Sequence, residues 1–579
     1  MSLRLILFPI LFVSLFNGCL KAKKSPFDAS NTSNPVFAIN VLNIKPGSIS
    51  SGASNSTSSA PSNLTYSLSP LQSKLIPGNP ITITPTITGT VDSWEITPQP
   101  PSWMTFDTKT GVITCNPPAG LPAASYSFTV TATNAGGKVS FNVPLQLLGS
   151  GDPVWQVING VTGGNTYAGV NSMKYDSNCN CLYIAGTTTG NLDGQTIPTT
   201  GGARSGFLSK YDLNGNKLWT KVFGVSGSSS INTNGITVDS SGNIYITGGV
   251  ESGNFNGLTI SVGASPNVAG YIIKYDPAGN VVWTASSAPN VRHYYSGIVI
   301  DINSDIVVAG AVYASSIDGM TNTGWADQAV IAQKFDKTTG ARINGAIVGG
   351  SSSLGTDGYG VGSDSSGNIY VAGASRAPSP NCGIGSTAYW RPVLFRFNSS
   401  MSYIGCTFIT VSSTAFAFGA TASPNGESYI SGYGSGTIDS IGPIGTTDGY
   451  FTKFDNLGNK LWTKRLGVPG AITTINSVVY EPNVNMIYIT GLTNGNLAGT
   501  VTGTRDMFVA KYDPSGNQIW IKMQGINNDS IGLGVGDGTS IVFDQSKTMY
   551  SFGHTNGTVN GITNPAAPNN ALFLVRNVQ

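Results

Sequence analysis

The sequence predicts an all-β protein in which a β-sandwich is followed by a seven-bladed β-propeller. Only 10% of the 579 residues are charged and 74 are glycine, a composition that favours short strands and tight turns over amphipathic helices. Residues 64–149 alternate apolar and polar side chains, and residues 153–579 repeat at intervals of about sixty residues. Basic and acidic residues nearly balance, with a formal charge of +2, so no broad electrostatic field would attract nucleic acid.

The N-terminus has the pattern of a secretory signal. Arg4 precedes an apolar run over residues 5–16 that is too short to span a bilayer comfortably. The stretch LFNGC, which ends at Cys19, resembles a bacterial lipobox. The resemblance implies that residues 1–18 are removed and that diacylglycerol on Cys19 tethers the protein to the cell envelope, at the outer membrane or the cell surface. An ordinary signal peptide that is cleaved elsewhere is the alternative.

Two segments precede the propeller. Residues 19–63 are rich in Ser, Asn and Thr and bury too little apolar surface to offset chain entropy, so we expect a flexible tether. In residues 64–149, one strand is predicted to carry Tyr126, Phe128, Val130 and Ala132 on a single face. The strings WMTFDTKTGVIT and YSFTVTATNAGG resemble the bacterial Ig-like (cadherin-like) module, which implies an Ig-like sandwich acting as a rigid spacer. Its acidic residues are too scattered to form a calcium loop.

A repeat organises residues 153–579. A Tyr-(Ile/Val)-x-Gly string, varied to Val-Val-Ala-Gly at Gly310 and to Tyr-Ser-Phe-Gly at Gly553, ends at seven glycines spaced 59 to 63 residues apart: Gly186, Gly248, Gly310, Gly373, Gly432, Gly491 and Gly553. Each copy contains two hairpins, such as GITVD and NIYITG around DSSGN, then FLSKYD and KLWTK around DLNGN, and four strands make one propeller blade. The region resembles the bacterial SBBP β-propeller repeat. The decamer KYDPSGNQIW and its copies are then outer hairpins, whose Trp219, Trp283, Trp462 and Trp520 pack between blades.

The two ends of the repeat region are predicted to meet in one blade. The last copy stops at ALFLVRNVQ, before its Trp-containing strand, and the segment PVWQV around Trp155 resembles that missing strand. Pairing of this segment with the three C-terminal strands would complete the seventh blade and leave no exposed sheet edge.

The cysteines after Cys19 are odd in number, so they cannot all pair with one another. Cys179 and Cys181 lack the spacing and the second ligand pair of a zinc site and are interpreted as turn residues. Cys382 and Cys406 lie in one repeat, where an oxidising compartment would let them pair.

The long loops of the propeller hold the candidate ligand contacts, because variable loops on a rigid scaffold are the usual binding positions. We expect a polar-aromatic contact surface from Arg292, His293, Tyr294, Trp325, Arg376 and Trp390, with Arg204 and Arg505 in or near other loops. The alternative is that each residue simply decorates its loop, since the sequence shows no convergence of these positions.

Catalytic, metal and cofactor sites have little support in the sequence. The two histidines, His293 and His554, lie in different blades, and no nucleophile, zinc-protease or phosphate-loop motif is present. Recurring aspartates at hairpin turns are predicted to be structural: Asp239, Asp276, Asp364, Asp455 and Asp513. The loops also hold carboxylates that glycoside cleavage would require, although NLDG and SIDG favour turns: Asp193, Asp318, Asp327 and Asp439.

These observations favour an envelope-anchored lipoprotein that acts as a non-catalytic binding or adhesion module for a protein or glycan. The alternatives are a propeller hydrolase or lyase that acts on extracellular polysaccharide, and a purely architectural envelope protein.

Overall fold

The computed structural model describes residues 58–68, 73–170, 172–263, 267–321, 328–349, 354–377, 387–525, 539–559 and 562–578. Every secondary-structure element in these ranges is a β-strand, which confirms the all-β prediction. No helix in these ranges is long and apolar enough to cross a bilayer. The predicted signal, Cys19 and most of the predicted tether lie outside the described residues.

The first nine strands form a sandwich that begins at Ser62, just before the predicted boundary at residue 64. Its strands are Ser62–Tyr66, Lys74–Leu75, Ile81–Ile83, Pro85–Thr88, Ser93–Thr97, Met104–Phe106, Ile113–Cys115, Ala124–Asn134 and Gly137–Leu147. Phe128, Val130 and Ala132 are buried in the sandwich core and Tyr126 packs against it, as the alternation predicts.

Seven four-stranded antiparallel sheets follow, numbered here in chain order and written from the first strand to the fourth. Sheet 1 consists of Met173–Asp176, Cys181–Thr188, Ser205–Asp212 and Lys217–Phe223. Sheet 2 consists of Ile231–Val238, Ile244–Val250, Ala269–Tyr275 and Val281–Ala285. Sheet 3 consists of His293–Ile300, Ile306–Val312, Ala329–Phe335 and Arg342–Val348. Sheet 4 consists of Thr356–Ser363, Ile369–Ser375, Arg391–Phe397 and Tyr403–Phe408. Sheet 5 consists of Ala415–Ala422, Ser428–Gly434, Asp448–Phe454 and Lys460–Leu466. Sheet 6 consists of Thr473–Glu481, Met486–Thr493, Asp506–Tyr512 and Gln518–Gln524. Sheet 7 consists of Ser540–Phe543, Met549–Thr555, Ala571–Asn577 and Pro153–Asn159.

Short strands decorate three of these sheets. Thr166–Tyr167 pairs with the second strand of sheet 1. Two small hairpins lie between the second and third strands of sheets 2 and 3, and they consist of Gly253–Phe255 with Leu258–Ile260 and of Ser316–Ile317 with Met320–Thr321.

The first strand of each sheet contacts the first strand of the next, and the first strand of sheet 7 contacts that of sheet 1. These first strands therefore surround a central axis. In sheet 7, Pro153–Asn159 pairs antiparallel with Ala571–Asn577, which is the strand pairing that the sequence predicts. Trp155 also donates its indole N–H to the carbonyl of Leu213 in sheet 1 at 3.2 Å, so this strand bonds to two neighbouring sheets.

Strand register explains why the decamer recurs. In sheet 2, Tyr245, Lys274 and Trp283 lie opposite one another across three adjacent strands. The lysine ammonium lies 5.4 Å from the tyrosine ring centroid, and the tryptophan ring lies 5.9 Å from it. The same lysine-over-tyrosine contact, at 5.4 to 5.7 Å, occurs in sheets 1, 5 and 6 for Lys210 and Tyr183, Lys453 and Tyr429, and Lys511 and Tyr488. Each contact adds a cation–π attraction to the strand pairing.

The tryptophans also join neighbouring sheets. Trp283 donates its indole N–H to the carbonyl of Lys337 in sheet 3 at 3.4 Å. Its ring lies against Gly340, where a β-carbon would come within 2.8 Å of the indole, and Gly279 lies similarly against Trp219. Both glycines have positive φ, so the outer turn requires glycine for conformation and for space. The predicted packing of tryptophans between blades is confirmed for Trp219 and Trp283.

Candidate functional site

The strand directions place tight turns at one end of the central axis and long connections at the other. The end of the axis with the long connections is called the loop-rich face. In each sheet the first strand begins there, the second strand ends there and the third strand begins there. Tyr294 and Asp357 lie at the starts of the first strands of sheets 3 and 4, while Tyr313 and Gln328 flank a long connection of sheet 3. These residues and Tyr359 meet on the loop-rich face and are called the Asp357 cluster.

Asp357 is buried, with 6% of its surface exposed, and accepts hydrogen bonds at both carboxylate oxygens. Tyr294 donates to Oδ1 at 3.2 Å and Tyr359 donates to Oδ2 at 3.2 Å. The amide of Gln328 donates to Oδ1 and also to the Tyr313 hydroxyl, the latter at 2.9 Å. Because Tyr294, Tyr313 and Gln328 belong to sheet 3, the carboxylate joins two sheets at the loop-rich face.

Burial sets the protonation of this cluster. It raises the pKa of the Asp357 carboxyl above its usual range, since desolvation outweighs the opposing effect of the three hydrogen bonds. Burial and the nearby Asp357 charge also raise the pKa of Tyr294 and of Tyr359 well above the ordinary value. The two phenols therefore stay protonated at neutral pH and act as donors to Asp357.

Two arginines lie against aromatic rings beside this cluster. The Arg292 guanidinium carbon lies 3.8 Å from the ring centroid of Tyr313, and that of Arg376 lies 4.8 Å from the Trp390 ring. Within the described ranges, neither guanidinium forms a salt bridge. All four side chains are half-buried, so part of each reaches the surface.

The aromatic surface continues into sheet 5. Trp390 lies 5.9 Å from Phe416, and Phe418 lies 4.8 Å from Tyr359 and 5.3 Å from Tyr433, between ring centroids. Aromatic side chains from sheets 4 and 5 thus form a continuous group, which Asp357 connects to Tyr294 of sheet 3.

Four of the predicted contact residues come together here: Arg292, Tyr294, Arg376 and Trp390. Trp325 lies outside the described residues. Arg204 and Arg505 belong to the loops of sheets 1 and 6 and do not join the cluster.

His293 does not fit a surface contact, because it is fully buried. One of its ring nitrogens, Nδ1, donates to the Val291 carbonyl at 2.8 Å, and Nε2 accepts from the Gly270 N–H at 3.2 Å. Burial lowers the pKa of His293 to about 4, so the ring is neutral at neutral pH. Its role is to satisfy backbone groups beneath the loop-rich face.

Sequence reasoning missed Asp357 itself. Strand register places it where the first strands of sheets 2, 3, 5 and 6 have Asn232, Tyr294, Phe416 and Thr474, so it is the one carboxylate among these five copies. In the sequence, Asp537 precedes Asp544 by the same spacing by which Asp357 precedes Asp364, but Asp537 lies outside the described residues. An alignment of the repeat copies could have revealed this carboxylate and its counterpart Asp537.

The turn and loop aspartates that the sequence singles out have structural partners wherever they are described. Asp239 accepts at Oδ1 from the N–H groups of Ser241 and Asn243, both at 2.9 Å, and the other predicted turn aspartates make the same kind of turn. Three loop carboxylates form salt bridges with basic side chains on the fourth strands of their own sheets. The pairs are Asp193 with Lys217, Asp318 with Arg342 and Asp439 with Lys460. All three have positive φ, which is typical of turns, whereas Asp327 lies outside the described residues.

In the described ranges, Cys115 is a free, buried cysteine of the sandwich, and the other cysteines form disulfides. Cys179 and Cys181 form a disulfide in a hairpin turn of sheet 1, and Cys406 is disulfide-bonded, while Cys382 lies outside those ranges. Among the described residues, Asp176, Cys179 and Cys181 are the one group of potential metal ligands close enough to share an ion. The sulfurs of a disulfide are not thiolates, the form that binds zinc.

Comparisons with known proteins agree with the two predicted resemblances. Residues 218–249 and 461–498 match the family model described as "Beta-propeller repeat" (SBBP), and residues 45–146 match "Putative Ig domain". A curated relative, an uncharacterised WD repeat-containing protein of Acanthamoeba polyphaga mimivirus, is 32% identical over 129 residues; the match covers 18% of this chain and 9% of the relative. This chain therefore spans only a small part of that relative.

Solved structures resemble the chain only distantly. A protein of unknown function from Dyadobacter fermentans has a TM-score of 0.38 and 10% identity, covering 63% of this chain and 99% of its own. An ulvan lyase of family PL25 has a TM-score of 0.34 and 12% identity, with coverages of 64% and 96%. A europium-containing methanol dehydrogenase has a TM-score of 0.32 and 12% identity, with coverages of 73% and 93%. Likeness at this level bears on neither the ligand nor the activity of this chain.

Proposed function

We propose that this protein is an envelope-anchored binding module that holds an extracellular glycan on its loop-rich face. The observation that supports this function is the surface that the Asp357 cluster forms with Arg292, Arg376 and Trp390, where half-buried Tyr, Trp and Arg side chains from adjacent sheets lie together. Tyr, Trp and Arg are the residue types that contribute most of the energy at binding surfaces. The guanidinium groups of Arg292 and Arg376 have no carboxylate partner within salt-bridge distance in the described ranges, which favours a glycan that carries anionic groups.

The hydrogen bonds of Asp357 favour binding over catalysis. Both oxygens already accept from groups of the protein, so the carboxylate orients Tyr294, Tyr359 and Gln328 and gains rigidity for the surface. A rigid, pre-oriented surface loses less entropy when a ligand binds.

Glycan cleavage is the second candidate, and the raised pKa of Asp357 favours it. A buried carboxyl of raised pKa beside tyrosines and an arginine is a common arrangement for acid–base chemistry. Replacement of Asp357 by Asn would then abolish turnover, whereas in a binding module no glycan product forms with either protein.

A glycan array probed with the purified protein tests the proposal. We expect saturable binding of acidic polysaccharides without product formation, and a loss of affinity of about tenfold or more for Trp390→Ala and for Arg292→Ala. Arg204→Ala is the matched control, because this exposed arginine lies in a loop of sheet 1, away from the cluster. Equal affinity in all three variants would place the binding surface elsewhere, and binding to no glycan would refute the proposed ligand class.

The envelope anchor is the part of the proposal that depends on Cys19. We expect the mature protein to carry acyl chains on this residue, and Cys19→Ser to release the protein from membranes. Mass spectrometry of the N-terminal peptide checks the modification directly, and an unmodified Cys19 would contradict it.

A further inference from the structure

A cavity of about 330 Å³ lies on the central axis near the end that carries the tight turns. First strands of six of the seven sheets contribute to its wall. Its volume is that of a site for a small molecule and exceeds the space of a few water molecules. It lies at the opposite end of the axis from the Asp357 cluster.

Lys174 differs from the residues at the equivalent position of the other first strands, which are small or apolar. It pairs with Tyr183 on the second strand, and residues in the same register position elsewhere are Thr237, Val299, Gly362, Thr421, Val479 and Val542. Five of these six also line the cavity. A repeat that accepts Thr, Val or Gly at this position does not need lysine for folding.

The ammonium group of Lys174 has no partner among the described residues. Glu481 is the one carboxylate in the cavity wall; it forms no ion pair with Lys174, and its Oε1 accepts from the N–H and side-chain amide of Asn483 at 3.1 and 2.7 Å. Burial lowers the pKa of Lys174, with no nearby charge to oppose the effect. An unpaired cation in such a cavity is unfavourable unless an anion accompanies it.

We propose that the axial cavity binds a small organic anion whose carboxylate or phosphate group pairs with the Lys174 ammonium. The apolar wall holds the carbon skeleton, and the Thr421 hydroxyl lies at the same level of the cavity as a second polar contact. This site is independent of the glycan surface, since it uses the other end of the axis.

Calorimetric titration of the full chain with succinate and with inorganic phosphate tests the proposal, and butane-1,4-diol serves as the uncharged counterpart of succinate. We expect at least one anion to bind and the diol not to bind. Lys174→Thr should weaken anion binding at least tenfold, and the variant should fold because threonine occupies the same position at residues 237 and 421. Lys210→Met is the matched control, since this lysine of the same sheet lies over Tyr183 and is not part of the cavity wall.

Three results would overturn the assignment: no binding of either anion, equal binding by the Lys174→Thr variant, or equal loss in Lys210→Met. A pH series gives a second readout. Binding should weaken at high pH, because a neutral amine no longer attracts the anion, and an affinity that does not change as the amine loses its proton would also count against the proposal.

Discussion

The two buried histidines are expected to make the propeller sensitive to mild acid. His293 and His554 are both buried, and burial lowers the pKa of each to about 4, from about 6.5 in an unfolded chain. A group whose folded pKa is depressed binds fewer protons in the folded state. Its contribution to stability is therefore present above the unfolded pKa and is lost as the pH falls towards the folded pKa.

The size of the loss follows from the two pKa values. Between pH 7 and pH 5, one such histidine lowers the free energy of unfolding by about 2 kcal/mol, and two independent ones lower it by about 4 kcal/mol. A loss of this size is a large fraction of the stability of an ordinary domain. For His293 the ring must also give up the bond from the Gly270 N–H when Nε2 is protonated, which adds to the same trend.

Urea unfolding followed by tryptophan fluorescence at the two pH values measures this effect. His293→Asn should lower the free energy of unfolding at pH 7. Between pH 7 and pH 5, however, the free energy of unfolding of this variant should fall by about 2 kcal/mol less than that of the wild type. Tyr295→Phe is the control, because Tyr295 contacts the imidazole edge-on at 5.2 Å between centroids and has no group that titrates in this range. If wild type and His293→Asn lost equal stability between the two pH values, the histidine would not be buried in its neutral form.

Three further predictions concern the scaffold. Deletion of residues 153–160 removes the fourth strand of sheet 7 and should lower the melting temperature by at least about 5 °C, so an unchanged melting curve would contradict ring closure by this strand. Lys334→Met leaves the buried carboxylate of Asp301 without its partner at 2.5 Å and should cost about 3–5 kcal/mol in urea unfolding, much of which a second change, Asp301→Asn, should restore. Gly279→Ala should destabilise more than Gly194→Ala in the same assay, because both glycines have positive φ but only the first lies against a tryptophan of the neighbouring sheet; equal effects would show that backbone strain alone matters.

Much of the scaffold could be predicted because its signals are local and repeated. Turn strings such as DSSGN require Gly242 at positive φ and Asp239 as acceptor of backbone N–H groups, and both features occur as predicted. The pairing of the Trp155 segment with the C-terminal strand could also be predicted, because the last copy lacks one strand and the first segment supplies it.

The candidate site could be predicted only in part, because convergence in space has no local signal. Arg292 and Arg376 were recognisable as loop residues, but the Tyr313 ring that Arg292 contacts lies on a different connection, and Trp390 lies 14 residues after Arg376 on the same connection. His293 shows the opposite difficulty. It follows Arg292 directly in the chain, yet strand alternation turns it into the core, where it bonds to backbone groups.

Exceptions to the repeat locate both proposed sites. In a ring of similar sheets, a residue that recurs at one position, such as the turn aspartates or the lysine over tyrosine, serves folding in each copy that carries it. Lys174 instead places a charge where the other six copies carry neutral side chains, and it has no folding partner among the described residues. Asp357 places a carboxylate where the first strands of sheets 2, 3, 5 and 6 carry neutral side chains, and its hydrogen bonds join two sheets. A buried charge lowers stability unless something else requires it. Since the repeat itself shows that neutral residues are accepted at the Lys174 position, function is the simplest reason for this charge, and Lys174→Thr should therefore affect binding more than folding.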